Sequence, residues 1–163
     1  MPESTFVIYG DRVPVEVVDA WREHGAGLID DGYFRMVDPA QVDSMLGDML
    51  PLHGGVVLFV TAMADMVVWW QGGFWVVNSR SQQISPQPVS FDGLVALMAD
   101  ESNDAWDWQP YPQVRDRLGV PAFDDCFMHV PMMAMGGRGD ASSMQVGGVW
   151  PHIAMMIMVI MSE

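Results

Sequence analysis

The segment between residues 56 and 78 constrains the fold more than any other part of the chain. It contains three runs rich in β-branched and aromatic residues, at 56–62, 66–70 and 74–78, and the turn QGG joins the last two. Such runs are typical of β-strands, and strands joined by short turns pair in antiparallel fashion. The segment therefore predicts a three-stranded antiparallel meander.

The clearest helix begins after Asp38. Asp38 is a typical N-cap, Pro39 suits the first helical position, and Gln41 occupies the capping-box position. Apolar residues then recur at helical spacing until Pro51 ends the segment. The apolar residues of this helix are Val42, Met45, Leu46, Met49 and Leu50.

Four other segments have helical patterns. They span residues 14–24, 91–98, 112–118 and 150–161. The first ends at Gly25, a typical C-terminal glycine, and the second follows Ser90, a typical N-cap. In the second, the expected core stripe is Phe91, Leu94, Val95 and Met98.

The remaining segments are short strands and loops. Strands are expected at 5–10, 33–37 and 126–130, with one edge strand within 79–90 and a loop over 136–148. Strands in the middle with helices before and after, without regular βαβ alternation, predict an α+β fold with a central antiparallel sheet. The length predicts a single compact domain over residues 1–163.

The charge of the chain is strongly one-sided. There are 21 acidic residues and 7 basic ones, all of them arginine, which gives a net charge of -14. Such a chain repels nucleic acid and anionic membranes, and it attracts basic partners through long-range steering. The acidity could equally serve only to keep a methionine- and tryptophan-rich protein in solution. Both interpretations stay open at this point.

Targeting features are few. The N-terminal sequence MPESTFVIYG has neither the basic nor the apolar region of a signal peptide. The late apolar run 153–161 is about half the length of a membrane helix. One cysteine, Cys126, cannot form an internal disulfide. We therefore expect a soluble cytoplasmic protein.

The stretch CFMHVPMMAMGG, residues 126–137, raises the question of a metal site. Cysteine, histidine and methionine are soft ligands for copper and zinc. Strand alternation, however, places Cys126 and Met128 on one face and His129 on the other. The four histidines also lack the spacing of a helical zinc pair, and methionine is abundant throughout the chain. The stretch is therefore interpreted as a core strand and the loop that leaves it, with no metal and no cofactor expected.

No sequence pattern indicates catalysis. The chain has no nucleophile elbow, no phosphate-binding loop and no calcium-binding loop, and adjacent carboxylates such as those at 124–125 are more often solvated turns. No catalytic residues are predicted.

A recognition surface is the remaining candidate, because residues 100–108 interleave carboxylates with two indoles. Tryptophans ringed by charge are typical of protein interfaces, although both could fold back onto the core. The candidate binding residues are Asp100, Glu101, Asp104, Trp106, Asp107 and Trp108, followed by Asp30, Asp31 and Asp65.

In their order along the chain, several motifs resemble the GAD-like/Tdi family of type VI secretion immunity proteins. The segments VPVEVVDAWREHGAG, DDGYFRMVDPAQVDSML and TAMADMVVWW resemble its GAD-related region, which fits residues 1–100. The segments DDCFMHVPMMAMGG and WPHIAMMIM resemble its Tdi immunity region, which fits residues 101–163 packed on the first part. One departure is Ala64, where a glycine is expected before Asp65.

The resemblance implies a non-enzymatic protein that binds and neutralises a toxic effector, expected to be a DNase with a basic active site. An acidic surface could occupy or cover such a site. Two alternatives remain open: an enzyme of unknown reaction using Asp65 or His129, and a binder of soft metals such as copper or zinc.

Overall fold

The computed structural model describes residues 1–103, 105–106 and 108–160, and its main element is a six-stranded antiparallel sheet. The strands pair in chain order, β1 to β6. They are β1 (Gly27–Ile29), β2 (Phe34–Met36), β3 (Val56–Thr61), β4 (Met66–Trp70), β5 (Gly73–Asn78) and β6 (Gln83–Gln87). A separate antiparallel pair is formed by β7 (Asp125–His129) and β8 (Met144–Gly148).

Helices precede and follow the sheet. They are α1 (Glu3–Tyr9), α2 (Val15–His24), α3 (Pro39–Leu46), α4 (Phe91–Met98), α5 (Tyr111–Leu118) and α6 (Val149–Ile160). This arrangement confirms the predicted α+β class with a central antiparallel sheet. No helix within the described residues has both the length and the apolarity to cross a membrane.

Two predictions of local structure are wrong. Residues 5–9 of the predicted strand 5–10 lie in helix α1, because Thr5 and Tyr9, one helical turn apart, are both buried and bonded to the α3 region. The segment 136–148, predicted as a loop, contains strand β8, whose backbone pairs with β7. In both cases contacts with distant parts of the chain determine the local structure.

Both faces of the sheet are buried along the central strands β2 to β5, and successive residues alternate between them except at a bulge in β3. The front face carries Phe34, Met36, Phe59, Val67, Phe74 and Val76, and it packs on Trp21, Leu94, Trp106, Trp108, Tyr111 and Val114. The back face carries Val57, Val60, Met66, Val68 and Val77, and it packs on Val42, Leu46, Trp150, Ile153 and Ile157. As alternation predicts, Trp69 packs against the front cluster and Trp70 against the back cluster.

The turn between β3 and β4 explains the departure at Ala64. Ala64 has φ +65°, in the left-handed region that favours glycine. The Thr61 hydroxyl accepts hydrogen bonds from the backbone N–H groups of Met63 (3.2 Å) and Asp65 (3.0 Å). The Ser79 hydroxyl donates to the Ala64 carbonyl at 2.9 Å. These bonds hold alanine in a conformation that it adopts at a cost of about 1–2 kcal/mol.

Arg35 projects from β2 and is completely buried. Its Nη1 group donates hydrogen bonds to the backbone carbonyls of Ala122, Phe123 and Asp125. Its Nε and Nη2 atoms are buried without a hydrogen-bond partner. Burial lowers the pKa of Arg35, and the nearby charges of Cys126, Asp124 and Asp125 act in the opposite direction. Arg35 thus joins the sheet to the segment that leads into β7.

Asp38 connects α1 to α3 as well as capping α3. Its Oδ1 atom accepts hydrogen bonds from the backbone N–H of Ala40 (3.0 Å) and from the buried hydroxyl of Thr5 (2.8 Å). A capping interaction stabilises a protein by about 1 kcal/mol, and a buried hydroxyl left without a partner costs about 1–3 kcal/mol. Asp38 therefore contributes to stability through two separate effects.

We predict that Asp38→Ala lowers the free energy of unfolding by about 2–4 kcal/mol, the sum of the lost cap and the orphaned Thr5 hydroxyl. Urea denaturation followed by tryptophan fluorescence measures the change. Asp19→Ala is the control, because Asp19 is exposed in a surface ion pair with Arg22 and should change stability by no more than about 0.5 kcal/mol. Equal effects of the two substitutions would contradict the role assigned to Asp38.

Cys126 generates a second prediction, because burial raises the pKa of its thiol from 9.0 to about 12 despite the opposing effect of Arg35. Between these values only the unfolded chain ionises at Cys126, so stability should fall as the pH rises above 9. Native protein at pH 8 should resist a thiol reagent that labels the unfolded chain completely.

The measurements are thiol labelling and the free energy of unfolding between pH 8 and pH 11. In Cys126→Ala the alkaline decline should be shallower than in the wild type. Some decline should remain, because burial and Asp43 also raise the pKa of Tyr9, to about 12. Rapid labelling of the native protein would show that the thiol is accessible.

Candidate functional site

The predicted acidic and aromatic loop is only partly a surface. Asp100 and Glu101 are exposed, but Trp106 and Trp108 are 1% and 7% exposed, which corrects the expectation of two indoles available to a partner. Trp106 donates from Nε1 to the Leu97 carbonyl at 2.6 Å. The centroids of the Trp108 and Tyr33 rings are 4.1 Å apart. Asp104 and Asp107 lie outside the described residues.

Asp65 is also not a surface residue. Its side chain is 1% exposed, accepts a hydrogen bond from the backbone N–H of Ser79 at 2.8 Å, and pairs with Arg80 at 3.3 Å. The Arg80 side chain is itself only 8% exposed. This buried ion pair fastens the β3–β4 turn to the end of β5, so Asp65 cannot contact a partner protein. This buried position does not fit the prediction of Asp65 as a binding residue.

The acidic pair at residues 30–31 follows the edge strand β1. The carboxylate of Asp31 is exposed and lies 3.6 Å from the guanidinium of Arg115. The backbone carbonyl of Asp31 accepts a hydrogen bond from the Tyr111 hydroxyl at 2.8 Å. The side chain of Asp30 lies outside the part that the structure describes. Asp31 therefore presents its carboxylate to solvent from a position fixed by its backbone.

An open apolar cleft lies between α2 and α4, on the front face of the sheet. Its volume is about 360 Å³. Phe34, Met36 and Phe59 line it from the sheet, and Ile29 lines it from the edge strand. The other lining residues are Ala20 and His24 from α2, and Phe91, Val95, Met98 and Ala99 from α4 or just after it. The cleft exposes part of the front-face core to solvent.

Several lining residues of this cleft have acidic neighbours in the sequence. The pair at 30–31 directly follows the lining residue Ile29, and the pair at 100–101 directly follows Ala99. Glu23 and Asp92 are exposed neighbours of the lining residues His24 and Phe91. We call the lining residues and these acidic neighbours the acidic cleft. Four of the predicted residues, Asp30, Asp31, Asp100 and Glu101, lie within two positions of a lining residue in the sequence.

The sequence pattern could not reveal the cleft. Val95 belongs to the apolar stripe of α4, which periodicity assigns to the core, yet it is 48% exposed. Leu28 and Ile29 on the edge strand are 44% and 38% exposed. Apolar spacing identifies the face of a helix but does not say whether a neighbouring element covers all of it. The gap between α2 and α4 therefore becomes visible only in three dimensions.

The arrangement of possible catalytic groups gives no support to the enzyme alternative. Asp65 is engaged in the ion pair with Arg80. His129 is 5% exposed and its Nδ1 lies 2.8 Å from the Ser143 hydroxyl oxygen. Within the described residues, no group of three or more histidine, cysteine, aspartate or glutamate side chains could hold a metal ion. The acidic cleft is therefore the best candidate for a functional site.

Comparison with known proteins identifies a solved structure with the same fold. No protein-family model matches the sequence, and no curated protein matches it. The structure is similar to the crystal structure of Atu4351 from Agrobacterium tumefaciens, with a TM-score of 0.79 and 16% sequence identity. The match covers 96% of this chain and 80% of that chain. At this level of identity the likeness shows a shared fold over nearly the whole length of this chain.

Proposed function

We propose that this chain is a cytoplasmic immunity protein that binds and neutralises a toxic effector of a type VI secretion system, with a DNase as the expected toxin. The observation that carries the proposal is the acidic cleft, an open apolar hollow whose lining residues have acidic neighbours in the sequence, on a chain of net charge -14. The ordered resemblance to the GAD-like/Tdi immunity proteins supports the same conclusion.

The physical argument begins with the toxin. A nuclease needs a basic surface to hold phosphates, and a strongly acidic protein is attracted to such a surface over long distances. Electrostatic attraction mainly raises the association rate and selects the partner. Affinity comes instead from a few anchors that are buried in pockets on binding. The acidic cleft offers both features in one place.

The occupant that fits the cleft is an apolar side chain carried on a basic segment of the toxin. The volume of about 360 Å³ is at the lower end of the range for ligand pockets, and it suffices for a large side chain. Lining residues from the sheet, such as Phe34 and Phe59, provide a floor that is already packed. A preformed floor lowers the ordering cost of binding.

Co-expression with the product of the adjacent gene tests the function. If that gene encodes the toxin, we expect this chain to rescue growth and to form a complex that survives pull-down. Failure of both rescue and binding would refute the proposal.

We predict that Val95→Arg weakens binding to the toxin at least about 30-fold, equivalent to the loss of an interface anchor of about 2 kcal/mol. The substitution fills the mouth of the cleft and places a positive charge where a basic segment would dock. Val7→Arg is the matched control, since Val7 is a helical, 77% exposed valine that does not line the cleft. Isothermal titration calorimetry measures the affinity of each variant for the toxin. Equal affinities of the two variants for the toxin would mean that the interface does not include the cleft.

We also predict that reversing Asp100 and Glu101 to arginine slows association with a basic toxin about tenfold and weakens its dependence on salt. The control reverses Asp11 and Asp48, which are also exposed, so that the net charge changes equally at a distance from the cleft. Association rates measured by stopped flow at several salt concentrations separate the effect of the charges at positions 100 and 101 from the effect of the net charge. An identical loss in the control would mean that total charge, and not the border of the cleft, directs the encounter.

A further inference from the structure

A second, much smaller cavity lies between β7, the segment after it and α6. Its volume is about 10 Å³. Two histidines and four methionines line it: His129, His152, Met128, Met132, Met133 and Met156. A space of this size is near the lower limit for a single water-sized guest. We call it the methionine cavity; it shares no residue with the acidic cleft.

His152 is the residue that indicates a ligand. It is 5% exposed, and its Nδ1 atom is buried without a hydrogen-bond partner. A buried polar atom without a partner costs about 1–3 kcal/mol, so such atoms usually have a reason to be there. Burial lowers the pKa of His152, and the neighbouring His129 lowers it further.

The other lining groups restrict the kind of ligand. Met156 follows His152 by one helical turn, so both belong to one face of α6 and both line the cavity. Met128, Met132 and Met133 line it from the β7 side. Thioether sulfur is a soft ligand that favours Cu(I), and imidazole also binds copper. An oxygen-preferring cation such as Mg²⁺ or Ca²⁺ would find no carboxylate among these six residues.

The surroundings of the cavity are compatible with one added positive charge. Arg80 also lines it, but the Arg80 guanidinium is paired with the carboxylate of Asp65 at 3.3 Å. His129 is oriented by Ser143, whose hydroxyl donates to the Arg138 carbonyl at 2.6 Å and whose oxygen therefore accepts from His129 Nδ1–H. An outer partner that fixes a histidine in this way is typical of metal ligands.

We propose that the methionine cavity binds a single Cu(I) ion, with His152 and Met156 contributed by α6 and thioether ligands contributed from the β7 side. The sequence argument against a shared site considered β7 alone, where Met128 and His129 point to opposite faces. In the folded chain both residues line the same cavity, because α6 and the segment after β7 close around the end of the strand. The site does not depend on the proposed immunity function.

The experiment titrates the full chain with Cu(I) under anaerobic conditions, in competition with a chromophoric Cu(I) chelator. We expect one equivalent to be withdrawn from the chelator, with NMR shifts of ¹³C-labelled methionine methyl groups confined to the cavity. Met156→Leu and His152→Gln should each weaken binding at least about tenfold, since even the loss of an outer-shell partner costs about 10–100-fold. Met156→Leu conserves volume, so it decides the question if His152→Gln fails to fold.

Met45→Leu combined with Met135→Leu is the control, because these methionines are 52% and 70% exposed and do not line the cavity. The control should bind as tightly as the wild type. The proposal is overturned if the wild type withdraws no copper, if Met156→Leu binds as well as the wild type, or if the control loses as much affinity as Met156→Leu.

Discussion

The buried guanidinium of Arg35 is the contact on which the organisation of the chain depends. It lies on the second strand of the sheet and bonds three carbonyls of the segment that enters β7. A buried cation is tolerated only with polar partners, and these partners come from residues about 90 positions later in the chain. The segment cannot move away from the sheet without leaving the cation unpaired, so Arg35 holds residues 122–125 against β2.

The second constraint is that both faces of an antiparallel sheet are covered. Helices α1, α2, α4 and α5 lie over the front face, while α3 and α6 lie over the back face. The back face is closed by large residues such as Trp150 and Ile153. The front face is not closed near β1, where the acidic cleft opens between α2 and α4. The candidate binding site is therefore a gap in a core, and its floor is as rigid as the core itself.

The sequence predicted elements best where local chemistry and tertiary contacts agree. The meander of β3 to β5 follows from residue composition, and the helix after Asp38 follows from its cap. A glycine was expected at position 64, and the alanine found there does adopt the left-handed conformation that favours glycine. Prediction failed where contacts with residues far away in the sequence determine the local structure or the burial of a side chain. Residues 5–9 are helical because Thr5 and Tyr9 contact the α3 region. Strand β8 forms because it pairs with β7. Asp65 is buried in an ion pair with Arg80, which follows β5 in the chain. The acidic cleft and the methionine cavity are both made by elements far apart in sequence, and periodicity describes one element at a time.

The position of α6 also has a consequence for synthesis of the protein. The six strands of the sheet are complete by residue 87, but the helix that covers much of the back face comprises residues 149–160. A nascent chain that has already paired β1 to β6 would present Val57, Val60 and Val68 to water until that helix emerges. Exposed apolar strands favour aggregation of partly made chains. The core can therefore be completed only after α6 has been synthesised, and general chaperones that shield apolar surface should associate with the chain before that point.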